Sequence, residues 1–259
     1  MTEFVPEFDT SVPQTARIWN YWLGGKDNFA ADRAVGDEIR AAFPQIVDNA
    51  RASRAFLVRA VTFLAGEAGI RQFLDVGTGL PTADNTHEVA QRVAPESRIV
   101  YVDFDPLVLV HARALLTSSP EGVTDYIDAD AREADKILRE AARTLDFTKP
   151  VALIMSGLLG HLGDDDEARS LVARFMSAVP SGSYLTVLDG TRSDEHAEAE
   201  RIWNESANPP YLLRSPAELA RFFDGLDLVD PGVVSAPHWR PTGDPQPKLD
   251  VFCGVGRKA

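Results

Sequence analysis

The stretch Arg71–Pro81, R-Q-F-L-D-V-G-T-G-L-P, decides the fold of this chain. Its apolar run ends in an acidic residue and breaks into two glycines, which is typical of a buried strand that leads into a ligand-binding turn. Gly77 and Gly79 carry no Cβ and adopt positive φ without strain, so a ligand can approach their backbone closely. Asp75 is expected at the carboxyl end of the strand, where open α/β sheets bind their ligands.

The residues after the second glycine restrict the kind of cofactor. A dinucleotide fingerprint, which binds a pyrophosphate, continues with a further glycine, whereas this chain continues Leu80-Pro81. We therefore expect a nucleoside-like cofactor without a pyrophosphate. S-adenosylmethionine is the leading candidate, and a nicotinamide dinucleotide is disfavoured.

Strand and helix patterns alternate along the chain from Arg71 onward. They predict one α/β domain over residues 71–259, with a mostly parallel sheet whose strands are joined by right-handed helical crossovers. Two final strands without a helix between them predict an antiparallel edge, which brings the sheet to seven strands. The predicted strands are Gln72–Val76, Arg98–Asp103, Val123–Asp128, Val151–Ser156, Gly182–Asp189, Leu226–Val229 and Leu249–Val255.

Residues 1–70 are predicted to form a helical extension of this domain. The segment Thr15–Ala42 indicates two helices around Gly24-Gly25, and Ile46–Ala68 indicates a longer helix with one apolar face and arginines such as Arg54 on the others. Aromatic residues beside glycines and a Lys-Asp-Asn run favour a lid over a ligand; the alternative is a helix that packs its aromatic side chains on the sheet edge. This lid cluster consists of Trp19, Tyr21, Trp22, Gly24, Gly25, Lys26, Asp27 and Asn28.

Composition and charge exclude several classes of protein. The chain of 259 residues contains 44% hydrophobic and 25% charged residues, as ordinary globular domains do. Its net charge of −13 opposes binding to the phosphate backbone of nucleic acids. No apolar run approaches the roughly 20 residues of a membrane span, and the one cysteine, Cys253, is expected to be a buried thiol. We therefore expect a cytoplasmic protein that acts on a small molecule and binds neither nucleic acid nor a membrane.

Acidic residues lie at the end of the second predicted strand and just after the third. Asp103 occupies the place of a ribose-binding carboxylate; the alternative is a solvated acid at a strand end. Asp130 could accept a hydrogen bond from the adenine amino group, cap the helix predicted to begin at Ala131, or do both. The predicted cofactor-binding residues are Tyr21, Gly24, Lys26, Asp75, Gly77, Thr78, Gly79, Asp103, Phe104, Asp130, Ala131 and Ser156.

The loop Ser156–His161 follows the central predicted strand and is expected near the reacting atom. His161 is a candidate general base or substrate contact because imidazole titrates near neutrality, and Tyr21 is a second candidate. The alternative for His161 is a structural hydrogen bond to loop backbone. Asn208–Tyr211, N-P-P-Y, resembles a motif of enzymes that methylate amino groups of bases, but it lies beyond the fifth predicted strand, so we interpret it as a turn. The acidic run Asp164–Glu167 suits a helix start without a metal ion.

Five motifs distributed over nearly the whole chain belong together. They are A-R-I-W-N-Y-W-L-G-G-K-D-N-F-A-A-D (Ala16–Asp32), F-L-D-V-G-T-G-L-P-T (Phe73–Thr82), N-T-H-E-V-A-Q (Asn85–Gln91), Y-V-D-F-D-P (Tyr101–Pro106) and W-R-P (Trp239–Pro241). The set resembles a bacterial family of S-adenosylmethionine-dependent methyltransferases formerly catalogued as proteins of unknown function. The resemblance implies a Rossmann-like methyltransferase fold in which Gly77 and Gly79 face the methionine part of the cofactor. It also implies that Asp103 faces the ribose and Asp130 the adenine.

The predicted activity is transfer of the methyl group of S-adenosylmethionine to a small-molecule O, N or C nucleophile. The protein would mainly align donor and acceptor for in-line attack. One alternative is a non-catalytic sensor or regulatory protein that binds the cofactor without methyl transfer. A less favoured alternative is an NAD-dependent oxidoreductase.

Overall fold

The computed structural model describes residues 9–115, 117–244 and 246–259. Residues 1–8 of the predicted N-terminal extension lie outside this range. The predicted alternation of strands and helices is confirmed over the described residues.

The centre of the molecule is a single mixed sheet with the strand order β3-β2-β1-β4-β5-β8-β6, in which a further strand, β7, also pairs with β8. Strands β1 to β5 are parallel to one another, and β8 is antiparallel to β5. The strands are β1 (Gln72–Val76), β2 (Arg98–Asp103), β3 (Val123–Asp128), β4 (Ala152–Ser156), β5 (Tyr184–Gly190), β6 (Asp227–Leu228), β7 (Val234–Ser235) and β8 (Val251–Arg257).

The sheet has eight strands, one more than the sequence predicts. The extra strand, β7, is only two residues long and lies between the last two predicted strands, where the chain is rich in proline. Two residues carry too little periodicity to be recognised, and the strand forms because Val234 and Ser235 pair with Cys253 and Phe252 of β8. The predicted buried state of the Cys253 thiol is confirmed.

Helices cover both faces of the sheet, and the first helices of the chain form an N-terminal extension of the domain. Their starts follow local signals: Ser215 and Glu218 form a reciprocal capping box, and Asp164 accepts the backbone N–H of Glu167. The α-helices are α1 (Thr15–Trp22), α2 (Ala30–Ala42), α3 (Ile46–Gly66), α4 (Thr86–Val93), α5 (Pro106–Leu115), α6 (Ala134–Ala141), α7 (Asp165–Ser177), α8 (Asp194–Ser206) and α9 (Pro216–Ala220). Short 3₁₀ helices cover Leu159–His161, Arg221–Phe223 and Ala236–His238.

Three hydrophobic clusters hold these layers together. One face of the sheet packs on α6 and α7, with Ile137 and Phe175 in the contact, and the other face packs on α3 through residues such as Leu64. The third cluster joins α1 and α2 to α8, where Trp22 and Trp203 meet. Helices α1 and α2 therefore pack on the helix that follows β5, which holds α1 beside the carboxyl ends of the parallel strands. Among the helices of the described residues, none combines the length and the hydropathy needed to cross a membrane.

Candidate functional site

A cavity of about 370 Å³ lies at the carboxyl ends of the parallel strands. Residues at the end of each of these strands line it, because parallel strands direct their carboxyl ends to one edge of the sheet. Helices α1 and α3 supply the opposite wall. Nine of the predicted cofactor-binding residues line this cavity: Asp75, Gly77, Thr78, Gly79, Asp103, Phe104, Asp130, Ala131 and Ser156.

The two glycines after β1 share a left-handed backbone conformation but differ in their surroundings. Gly77 has φ 75° and Gly79 has φ 67°, a region that favours glycine. A Cβ on Gly77 would lie 2.9 Å from Cδ1 of Leu158, whereas a Cβ on Gly79 would meet no atom within 4 Å. Close packing against Leu158 therefore leaves no room for a side chain at Gly77, whereas open cavity space lies beside Gly79.

Asp103 is held in one orientation by the backbone around it. Its Oδ2 accepts the N–H of Gly79 at 2.7 Å, and its Oδ1 accepts the N–H groups of Phe104 at 2.8 Å and Asp105 at 3.0 Å. Burial raises the pKa of Asp103 to about 6 despite these hydrogen bonds. The carboxylate is only 9% exposed, so the solvated strand-end alternative is wrong. Phe104, beside it, is half exposed and offers an apolar surface at the cavity.

Asp75 lies at the end of β1 and is almost fully buried. Its Oδ2 accepts the hydroxyl of Thr86 at 2.6 Å, and burial raises its pKa to about 6. Arg54 of α3 lies in the same cavity wall, and its positive charge opposes that rise in the pKa of Asp75. The sequence pattern placed Arg54 on a face of the helix other than its apolar face. The structure adds that this face of α3 lines the cavity, which the sequence did not predict.

Asp130 follows β3 and organises the turn before α6. Its Oδ1 accepts the backbone N–H of Arg132 at 2.8 Å, and its carboxylate lies 3.4 Å from the Arg132 guanidinium. The helix begins at Ala134, not at Ala131 as predicted, because this side-chain turn takes up the intervening residues. Asp130 thus caps a turn and also lines the cavity.

His161 lies at the end of the loop after β4 and is 9% exposed. Its Nδ1 is 2.9 Å from the carbonyl oxygen of Pro210, so this nitrogen carries the proton and donates it. The Nε2 atom is buried and has no hydrogen-bond partner among the described residues. Burial lowers the pKa of His161 to about 4, which keeps the imidazole neutral. The hydrogen bond to loop backbone expected of a structural histidine is therefore present at Nδ1, and the lone pair of Nε2 remains free.

The segment Asn208–Tyr211 lies against this histidine. The structure brings Asn208 and Pro209 to the cavity wall, so interpreting the segment only as a turn was incomplete. The Tyr211 ring packs edge-on to His161, and its hydroxyl donates to Asp189 at 2.8 Å. Only tertiary packing brings this segment, which follows α8, to the end of β4.

The first helix contributes residues that the sequence did not single out individually as ligand contacts. Trp19, Asn20 and Leu23 of the α1 region line the cavity. Asn20 is 3% exposed, and its Oδ1 accepts N–H groups of Asp27 and Asn28 at 3.0 and 2.9 Å. These two bonds fix the amide orientation, so Nδ2 of Asn20 is a donor to which the described residues offer no acceptor.

Three predicted contacts of the lid cluster lie away from the cavity lining: Tyr21, Gly24 and Lys26. The Tyr21 hydroxyl donates to Asp37 at 2.7 Å, and this hydrogen bond raises the pKa of the phenol, which opposes a role as general base. Contact of these residues with the cofactor stays a prediction that requires the end of α1 and the segment after it to move. Among the described residues, no group of three or more His, Cys, Asp or Glu side chains is placed to hold a metal ion.

The residues of the cavity fit S-adenosylmethionine. Asp103 offers a fixed buried carboxylate for a ribose, and Gly79 offers backbone beside open space. Charged groups for an amino-acid end are also present at Asp75 and Arg54. The turn after β1 lacks the third glycine of a dinucleotide-binding fingerprint.

Comparisons with known proteins agree with this fit. The family profile described as S-adenosyl methyltransferase matches residues 1–259. A DUF574 family protein from Streptomyces avermitilis MA-4680 superposes with a TM-score of 0.93 at 43% identity, covering 97% of this chain and 99% of its own. A provisionally assigned methyltransferase from Thermobifida fusca YX gives a TM-score of 0.90 at 41% identity, with 96% of each chain covered. No curated protein matches the chain significantly.

A more distant structure extends the comparison of the fold. The N-methyltransferase NodS from Bradyrhizobium japonicum WM9, in complex with S-adenosyl-L-homocysteine, has a TM-score of 0.51 at 14% identity, covering 87% of this chain and 97% of its own. It shares the Rossmann-like methyltransferase fold. The sensor and oxidoreductase alternatives are not favoured by these findings. The cofactor is S-adenosyl-L-methionine, and the chain belongs to the S-adenosyl methyltransferase family.

Proposed function

We propose that this methyltransferase acts on an uncharged small molecule through an O–H or N–H group that hydrogen-bonds to Nε2 of His161. The observation that carries the proposal is the buried, unpartnered Nε2 atom of a histidine that lines the cofactor cavity. A buried acceptor without a donor is destabilising, so a bound molecule that supplies the donor is favoured.

The acceptor subsite is inferred from the order of the strands. Asp130 and Asp103, proposed for the adenine and the ribose, lie at the carboxyl ends of β3 and β2, whereas His161 and Leu188 belong to the loop after β4 and the carboxyl-terminal part of β5. The wall on this second side contains the side chains of Trp19, Asn20, Leu23, Leu162 and Asn208. The charged group beside His161, the guanidinium of Arg132, donates to the carbonyl oxygen of His161 and is already paired with Asp130 and Glu167. This composition supports an uncharged acceptor with an apolar or aromatic body.

His161 is suited to orient the nucleophile and to take its proton late. S-adenosylmethionine, when bound, supplies an electrophilic methyl group on its sulfonium. Because the proton on Nδ1 is held by Pro210, only Nε2 can accept a proton. A pKa of about 4 makes it a weak base toward a neutral alcohol or amine. As the acceptor atom bonds to the methyl group and the methyl–sulfur bond breaks, the O–H or N–H of the acceptor becomes strongly acidic, so its proton can pass to Nε2 in the same step.

The experiment is a screen of uncharged phenols and amines for formation of S-adenosyl-L-homocysteine, followed by comparison of variants. We expect His161→Ala to lower turnover by about 10²–10⁴-fold, the range for a proton acceptor. Its affinity for S-adenosyl-L-homocysteine should stay unchanged. The matched control is His238→Ala, because His238 is bonded through Nε2 to the carbonyl of Gln246 and does not line the cavity. Full turnover in His161→Ala, or an equal loss of product affinity, would contradict the proposal.

The remaining sequence-based inferences are also kept as proposals. We infer that residues 1–70 act as an extension that covers the acceptor side, which the cavity position of Trp19 and Leu23 supports. A cytoplasmic location and the absence of nucleic acid as a substrate rest on the acidic charge of −13 and the single buried cysteine.

A further inference from the structure

We infer that a second, smaller cavity is a binding site for a small protonated amine. This cavity has a volume of about 50 Å³ and lies where α1, α2 and α8 pack together. A water molecule needs about 10–15 Å³ of such space, so the cavity suits an ion of about four non-hydrogen atoms, the size of trimethylammonium. The inference goes beyond methyl transfer, because the cation is a separate ligand from the uncharged acceptor proposed above. Trp19 lines both this cavity and the cofactor cavity.

Four aromatic rings enclose the small cavity as a box rather than a stack: Trp19, Trp22, Trp203 and Tyr211. Neighbouring rings in this order are inclined at 74°, 48° and 61°, and their centroids are 5.6, 6.1 and 6.3 Å apart. Rings that are inclined to one another present faces as well as edges to the space between them. The face of an aromatic ring is negative and attracts a cation that lies within about 6 Å of its centroid.

Three of these rings direct their polar hydrogen atoms to acceptors of the protein. Nε1 of Trp22 and Nε1 of Trp203 donate to backbone carbonyl oxygens at 3.1 and 2.9 Å. The Tyr211 hydroxyl donates to Asp189 at 2.8 Å. These donors are therefore used within the protein, and the three rings offer the cavity only their π systems, which favours a cation over an anion.

Two further side chains of the lining offer hydrogen-bond acceptors. Oδ1 of Asn49 is buried and has no partner among the described residues, while its Nδ2 donates to the carbonyl oxygen of Asp250 at 3.5 Å. Nδ1 of His196 donates to the carbonyl oxygen of Thr191 at 3.0 Å, and burial lowers the pKa of this histidine, so Nε2 is an unprotonated acceptor. A buried acceptor without a donor is destabilising, so a ligand with an N–H group is favoured.

Glu200 supplies the negative charge of the lining. Its Oε1 accepts the backbone N–H of Leu213 at 2.8 Å, and no basic side chain of the described residues forms an ion pair with it. Arg201, its neighbour on α8, pairs with Glu198 and Glu205 instead. A carboxylate without a cation, beside aromatic rings and unused acceptors, matches a protonated amine in charge and in hydrogen bonding.

The experiment is calorimetric titration of the intact protein, saturated with S-adenosyl-L-homocysteine so that the cofactor cavity is filled. The probes are trimethylammonium chloride and isopropanol, which has the same number of non-hydrogen atoms but no charge, and the ionic strength is held constant. We expect trimethylammonium to bind with a dissociation constant of about 0.1–10 mM, a range open to a ligand of this size. Isopropanol should bind at least about tenfold more weakly. Tryptophan fluorescence should change over the same concentrations of trimethylammonium, because three tryptophans line the cavity.

Glu200→Gln tests the position of the site, since it removes the charge and keeps an oxygen for the N–H of Leu213. We expect this variant to bind trimethylammonium about tenfold more weakly, or worse, and isopropanol as the wild type does. Glu205→Gln is the matched control, because Glu205 lies on the same helix, is 62% exposed and pairs with Arg201; neither probe should respond.

Three results would overturn the inference. They are equal affinity of the wild-type protein for the two probes, an equal loss of trimethylammonium binding in both variants, and competition of trimethylammonium with S-adenosyl-L-homocysteine. The first and third are measured on the wild-type protein, so the inference stays testable if Glu200→Gln does not fold.

Discussion

The two glycines of the turn after β1 should respond differently to the same substitution. Both have positive φ, so alanine at either position costs about 1–2 kcal/mol in backbone strain. Only at Gly77 does the added methyl group meet a neighbour, since its Cβ would lie 2.9 Å from Leu158. Overpacking of this kind costs a further 1–3 kcal/mol, by rough estimate.

The structure therefore predicts a loss in the free energy of unfolding of about 2–5 kcal/mol for Gly77→Ala and about 1–2 kcal/mol for Gly79→Ala. Alanine at either position also restricts the unfolded chain, and this effect offsets each of the two losses by about 0.4–1 kcal/mol. Leu158→Ala should relieve the contact, so the double variant Gly77→Ala, Leu158→Ala should be about 1–3 kcal/mol more stable than the sum of the single effects predicts.

Urea unfolding of the four variants and the wild type measures these differences, provided that the m-values agree. Titration with S-adenosyl-L-homocysteine adds the functional part of the prediction. Gly79→Ala should bind it more weakly, because its methyl group enters the open space beside Gly79 at the cavity. Strictly additive effects at Gly77 and Leu158 would refute the packing argument, and wild-type affinity in Gly79→Ala would refute the use of that space by the cofactor.

Two further predictions concern charged groups. Burial raises the pKa values of Asp75 and Asp103 to about 6, so the folded protein binds protons more tightly than the unfolded chain does between about pH 4 and 6. The contribution of these groups to the stability of the ligand-free protein should grow as the pH falls through this range, while affinity for S-adenosyl-L-homocysteine falls below pH 6. Thermal unfolding and calorimetry at several pH values measure the two quantities and should show opposite trends. Parallel trends would contradict binding of the cofactor by the ionised carboxylates. Asp32→Asn should cost about 3–5 kcal/mol in urea unfolding, because it breaks the fully buried ion pair with Arg17, whose atoms are 3.3 Å apart. Asp48→Asn, in an exposed pair on α3, should cost at most about 1 kcal/mol, and similar losses in both variants would show that burial of the pair is unimportant.

Much of the fold could be predicted because its signals are local. The apolar run before Asp75 and the positions of Gly77 and Gly79 identify strand and turn without any tertiary contact. Ser215 and Glu218 likewise mark a helix start through their own backbone bonds. The two-residue strand β7 escaped prediction because its formation depends on pairing with β8.

The site divides in the same way. The location of Asp103 at the cavity could be predicted from its position at the end of β2, because consecutive parallel strands end at one edge of the sheet. The start of the helix after Asp130 could not be predicted from the sequence. An aspartate that forms a side-chain turn and one that caps a helix have the same sequence signature, and the two differ only in where the helix begins.

The sequence by itself determined the parallel sheet, the glycine turn, the position of Asp103 at the end of β2 and S-adenosylmethionine as the cofactor, because each depends on residues close together in the chain or on strand order. Only the tertiary structure decided that Arg54 faces the cavity, that Asn208 reaches it, and that His161 keeps a free Nε2. The physical reason is that these properties arise where α3, the loop after β4 and the segment after α8 pack together. Burial and the lack of a partner, which give these side chains their chemistry, are properties of that packing.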